Sequence, residues 1–226
     1  MHFDQNDKFT IRFREQNIHN SAYAIFDGTG NYDIPNLLPN DDIDEQDLRL
    51  TPFQGFNFAI KEQHPENIGV HFFLHDYQFE RIWNYPDRYL DVLARFPYVL
   101  SPDFSPYGNL PKATRIFNIY RKNWCARYWQ EYGINVIPTI TWGDESDFEF
   151  CFDGIPKHST IAISTMGEGR WGKYRLLKYG WQYMLDAIEP NLILLYGKDL
   201  RSELSGNIIY KPMMSRKVNK SDGKDE

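Results

Sequence analysis

The stretch IGVHFFLHD, residues 68–76, decides the fold. It is almost continuously apolar and then stops on a histidine and an aspartate. An unbroken apolar run of strand length fits a parallel sheet covered on both faces, because neither side of its pleat meets water. A helix is expected next, and the spacing predicts one. Pro86 stands at a first helical position, and Tyr89, Leu90, Leu93 and Phe96 follow at i, i+1, i+4 and i+7.

The same rhythm repeats downstream. Tyr98, Val99 and Leu100 form a short strand, and a helix is predicted from about Lys112 to Tyr132. Ile116, Tyr120, Trp124, Tyr128 and Tyr132 recur on it every four residues, and Gly133 closes it. NVIPTITW (135–142) reads as a strand whose Pro138 marks an edge or a broken ladder. FEFCF (148–152) reads equally as strand or helical turn. STIAIST (159–165) and NLILLYG (191–197) are strands, separated by a helical stripe of Leu177, Trp181, Met184, Leu185 and Ile188 that Pro190 ends. Residues 68–215 therefore predict an α/β domain with a largely parallel sheet built from repeated βα units. It is either open and doubly wound or an incomplete TIM-like barrel.

Residues 1–67 read as an extension packed on this domain, supplying further strands or a cap over its crevice. Within them, DDIDEQD (41–47) reads as a solvated acidic loop. The tail RKVNKSDGKDE (216–226) lacks apolar anchors and is expected to be disordered.

Composition narrows the function. The formal net charge of −6 argues against a protein that coats DNA, and 16% aromatic residues suggest a core and clefts lined by rings. Cys125 and Cys151 lack a CxxC partner or ligand spacing and read as reduced, buried thiols. No signal-like segment or long apolar run occurs, so a cytoplasmic protein without membrane contact is expected.

In βα units all strand carboxyl ends point one way, and ligands collect in the crevice there. Here those ends are polar: His75 and Asp76; Ser101, Asp103 and Ser105 in SPDFSP; Thr141, Trp142 and Asp144; Ser164 and Thr165. Serines, aspartates and prolines after strands also serve as turns and helix caps, so each residue alone carries little. Asp76 and Asp103, if on adjacent strands, would stand about 5–10 Å apart, near enough to share a divalent metal or divide acid and base work. His75 is the candidate proton carrier beside them.

TMGEGRWGKYR (165–175) has the G-x-G-x-x-G spacing of a dinucleotide loop, but Glu168 would face a pyrophosphate and Arg170 and Trp171 crowd the turn. Arg170 and Lys173, near a helix start, instead nominate an anion site, with phosphate the natural occupant. Lys112, Arg115, Arg121, Lys122 and Arg127 interleave with aromatics on the long helix, a composition suited to single-stranded nucleic acid. The competing expectation puts those rings on the core stripe and those charges in solvent.

The segments YDIPNLLP (32–39), HDYQFERIWNYPDRY (75–89), SPDFSPYGNLPKATRIFNIYR (101–121), GINVIPTITWGDESDFEFCFDGIP (133–156) and AISTMG (162–167) resemble the domain-of-unknown-function 4417 family of bacteria and bacteriophages. SPDFS and FCFDGIP are its most specific marks. The resemblance implies a bacterial or phage protein borne on mobile elements and carries no reaction with it. Two functions stand. One is an enzyme-like domain that binds a phosphorylated small molecule, a nucleotide or a nucleic-acid end, with metal-assisted hydrolysis by Asp76 and Asp103. In it Ser101, Ser105, Thr141, Trp142, Asp144, Thr165, Arg170 and Lys173 hold the ligand. The other is a non-catalytic module that contacts single-stranded nucleic acid or protein.

Overall fold

The computed structural model describes residues 20, 23–40, 43–166 and 174–213. It opens with an antiparallel hairpin of β1 (Gly28–Thr29) and β2 (Ile34–Pro35), then helix α1 (Glu45–Leu50), strand β3 (Phe53–Gly55) and a helical turn α2 (Phe56–Ala59). Strand β4 (Gly69–His71) is followed by α3 (Arg81–Asn84) and α4 (Leu90–Leu93). Then come β5 (Val99–Leu100), the long α5 (Lys112–Glu131), β6 (Val136–Ile137), β7 (Thr160–Ser164), α6 (Arg175–Ile188), β8 (Leu192–Gly197) and β9 (Ile208–Pro212).

The fold is mixed α/β with parallel pairing in both larger sheets, as the sequence predicts. β3, β4, β5 and β6 pair in that order, and β7, β8 and β9 pair in that order, every pair parallel. A single parallel bridge between Thr139 and Ala162 joins the two sets. There Ile140 donates to the Ala162 carbonyl at 2.8 Å, and the Ala162 amide donates to the Pro138 carbonyl at 2.8 Å. Pro138 offers no N–H, so the ladder is interrupted where the sequence expects it. The combined order follows the chain from β3 to β9 without a reversal. Among the described residues no ladder returns from β9 to β3, so the sheet stays open. The Lys211 ammonium crosses the gap, donating to the Arg49 and Thr51 carbonyls at 2.8 and 2.7 Å.

The two faces of this sheet have different coverings. Val70, Val99, Val136, Ile161, Ile163, Ile193 and Leu195 pack against the helices. The alternate residues Phe53, Leu100, Ile137, Ala162, Leu194 and Ile209 cluster with one another. Because every pair in these two sheets is parallel, their strand carboxyl ends leave on one side.

Several elements differ from expectation. The ladder of the first strand stops at His71, so Phe72 to Asp76 form its exit. The helix expected from Pro86 divides into a 3₁₀ turn, Pro86–Tyr89, and α4, while its stripe of Tyr89, Leu93 and Phe96 is buried. FEFCF lies in and after a 3₁₀ turn, Glu145–Glu149. The acidic run opens a helix instead of forming a loop. The Asp44 carboxylate accepts from the Asp47 amide at 2.8 Å, and Glu45 and Asp47 occupy the first turn, where the helix dipole favours carboxylates. β3, inside the extension, and β9, near the end, are too short to announce themselves by periodicity.

Helix α5 is covered on both sides, by the sheet and by the N-terminal segment. Asn123 donates to the carbonyls of Pro35 and Asp153, and the Trp124 indole donates to Ala24. Its charges are therefore not all solvated, contrary to expectation: Arg115, Arg121 and Lys122 are buried. Cys125 and Cys151 are free, buried thiols.

Candidate functional site

A cleft of about 430 Å³ opens at the strand carboxyl ends. His75, Asp103, Ser105, Thr141, Trp142 and Ser164, the exits of four strands, line it together. A recess of about 70 Å³ behind Asp103 continues it toward Ile163 and Leu177.

The loop SPDFSP forms one wall and is held from several directions. Asp76 accepts from the Ser105 amide at 3.1 Å and from its hydroxyl at 2.8 Å, so the two predicted carboxylate exits are joined through Ser105. Asn118 donates to the Ser105 carbonyl at 2.8 Å. The Arg121 guanidinium lies 3.7 Å from the centre of the Phe104 ring and pairs with Glu80. The following turn packs backbone to backbone against the next exit. A β-carbon on Gly143 would sit 1.4 Å from the Pro106 carbonyl oxygen, so only glycine fits. Opposite, the Trp142 indole donates to the Leu176 carbonyl at 3.2 Å and packs on Gly180 of α6.

Asp103 itself is the anomaly. It is partly exposed on the cleft, yet its Oδ1 is buried without a hydrogen-bond partner. Behind it on α5 stands Lys122, fully buried, whose Nζ also has no partner. The two interact electrostatically without a hydrogen bond. Burial raises the Asp103 pKa well above the ordinary carboxylate range, Lys122 opposes that shift and Asp76 adds to it. Burial likewise lowers the Lys122 pKa, against the opposing pull of Asp103 and Cys151.

Other predicted residues lie elsewhere. Ser101 is buried between strands, where its Oγ accepts from the Thr139 amide at 2.7 Å. Asp144 caps the 3₁₀ turn by accepting from the Ser146 amide. Thr165, also buried, accepts from the Lys198 amide at 2.6 Å. Arg170, Lys173 and the three loop glycines lie outside the described residues, as does the charged tail. Met166, just before this loop, and Leu176, in the first turn of α6 after it, both line the cleft. Among the described residues no group of three or more His, Cys, Asp or Glu side chains could hold a metal.

Sequence reasoning missed the burial of Lys122. The signal was present: Arg115, Ile119, Lys122, Ala126 and Trp129 recur at helical spacing, which places a lysine on a buried face. Of the other α5 cations, Lys112, Arg115, Arg121 and Arg127 form ion pairs with Glu149, Asp147, Glu80 and Glu131. No helix among the described residues is long and apolar enough to cross a membrane.

These features define a class: an open parallel α/β protein with a polar cleft at the carboxyl mouth of its strands, Asp103 on the cleft wall and Lys122 buried behind it, each with an unbonded polar atom. Within that class the chain belongs to the family described as Domain of unknown function (DUF4417), which matches residues 26–210. It is 40% identical over 174 residues to the Gene 1 protein of Mycobacterium phage L5, covering 76% of this chain and 74% of that protein. It is 40% identical over 181 residues to the Gene 1 protein of Mycobacterium phage D29, covering 75% and 67%. No solved structure matches it.

Proposed function

We propose that the cleft is the active site of an enzyme acting on a small phosphorylated ligand, with Asp103 as its acid–base group. Lys122 is the positioning cation behind it. The carrying observation is the pair of buried, unpartnered polar atoms, Asp103 Oδ1 and Lys122 Nζ. Leaving such groups unbonded costs on the order of several kcal/mol, a cost native cores seldom bear without a role in the site. A carboxyl whose pKa is raised toward neutrality can take a proton from a ligand hydroxyl or water and return it to a leaving oxygen. Phosphate is supported by the sequence positions of Arg170 and Lys173, between the cleft residues Met166 and Leu176.

Metal assistance has less support. Both Asp76 oxygens already bind Ser105, and the nearby positive charge acting on Asp103 is the Lys122 ammonium. Nucleic-acid contact along α5 also has less support, since four of its cations are engaged in ion pairs.

Thermal-shift measurements on wild type and Asp103→Asn, with phosphorylated sugars, nucleotides, Mg²⁺ and Mn²⁺, test this reading. A phosphorylated compound should stabilise the wild type, and the folded variant should lose that response. No stabilisation across the panel, or equal stabilisation of both proteins, refutes it.

A further inference from the structure

A second cavity, of about 350 Å³, adjoins the cleft, and Phe73, Leu74 and Met166 line both. Gln54, Asn57, Phe58, Glu62, His71 and Tyr196 complete much of its wall. His71 is only 5% exposed, and its Nδ1 accepts from the Phe73 amide at 3.2 Å. The ring proton therefore sits on Nε2, which has no protein partner among the described residues. Burial lowers the imidazole pKa to about 4, so this donor is neutral at pH 7. Aromatic rings flank it, Phe73 at 5.7 Å and Tyr196 at 4.5 Å between centroids. Gln54 is 6% exposed, and its Nε2 is likewise buried without a partner.

Aromatic walls with neutral donors select an uncharged planar ring that carries acceptor atoms, and Glu62, which also lines the cavity, disfavours an anion. An anion would lose its hydration there without a countercharge from these groups. A purely aliphatic group would leave both donors unsatisfied. We propose that this second cavity holds the nucleobase of a nucleotide whose sugar-phosphate end lies in the Asp103 cleft. The assignment of the sugar-phosphate end rests on the function proposed above, whereas the base site stands on its own residues.

Calorimetric titration of wild type, His71→Phe and Asp103→Asn with nucleosides, their 5′-monophosphates and ribose 5-phosphate separates the two. Nucleosides should bind wild type, and His71→Phe should weaken them about tenfold, the value of one hydrogen bond, without altering ribose 5-phosphate binding. Asp103→Asn should weaken the 5′-monophosphates and ribose 5-phosphate. If ribose 5-phosphate binds and no nucleoside does, or if His71→Phe binds nucleosides as wild type does, the base site is refuted and the cleft reading survives. If nucleosides bind through His71 and no phosphorylated compound depends on Asp103, the cleft reading fails alone. Should His71→Phe not fold, ¹⁵N NMR of the wild type decides, because a nucleoside must shift the His71 Nε2 resonance and an unmoved signal refutes the proposal.

Discussion

The Arg115 guanidinium lies 2.8 Å from the Asp147 carboxylate in a pair nearly closed to water, the side chains 8% and 0% exposed. Arg115 also donates to the carbonyls of Gly108 and Leu110, and Asp147 accepts from the amides of Gly143 and Asp144. The pair thus ties the turn after SPDFSP to the turn after Trp142, two walls of the cleft. Removing one partner strands a buried charge, so Arg115→Ala or Asp147→Ala should cost about 3–5 kcal/mol in urea unfolding. The double substitution Arg115→Met with Asp147→Leu should cost clearly less than the sum of its singles, and an additive result would show that the pair is not coupled.

Asp103 and Lys122 should each tolerate loss of the other in mildly acid solution. Lys122→Met leaves a carboxyl that can neutralise itself by taking a proton, so its stability should stay within about 1 kcal/mol of wild type at pH 6. Asp103→Asn replaces a carboxyl that is itself largely protonated at pH 6, below its raised pKa of about 7, and should cost equally little there. Chemical denaturation of both variants checks this, and a loss of about 3 kcal/mol or more in Asp103→Asn would show that the carboxyl is ionised at that pH.

The loop contact at Gly143 makes a steric prediction. A methyl group there collides with the Pro106 carbonyl, so Gly143→Ala must push SPDFSP away from the sheet. A loss of about 2 kcal/mol or more is expected, together with weakened ligand response. Unchanged denaturation and ligand titration would show that the loop yields freely.

His71 sets a pH dependence. Its pKa is lowered from 6.5 to about 4 by burial, so the unfolded chain takes a proton before the folded one can. Stability due to this group is complete above pH 6.5 and is lost as pH falls toward 4, by about 3 kcal/mol at most. Denaturation of wild type and His71→Phe between pH 7 and 4 should give curves that converge on acidification as wild type loses this contribution. Asp103, whose pKa is raised, acts in the opposite direction and cancels in that comparison. Parallel curves would refute the assignment to His71.

Much of the architecture was legible because five strands carry continuous apolar runs, and such runs announce a covered parallel sheet. β3 and β9 were not, because three residues ending in glycine, or five mixing a lysine with a proline, show no period. The mouth residues His75, Asp103, Ser105, Thr141 and Trp142 were legible from their places after strands. Ser101, Asp144 and Thr165 share those places but spend their hydrogen bonds on the fold, which depends on register and not on residue type. Lys122 was hidden by its own chemistry, since lysine at a helical position ordinarily reads as solvated.

The single bridge between Thr139 and Ala162 has a mechanical consequence. Thr141 and Ser164 follow it by two residues on the two adjoining strands, and both line the cleft. A small rotation of one set of strands against the other strains two main-chain hydrogen bonds, whereas prising β7 from β8 strains a full ladder. The join between the two sets of strands is therefore the most compliant line across the described sheet, and it runs out into the floor of the cleft.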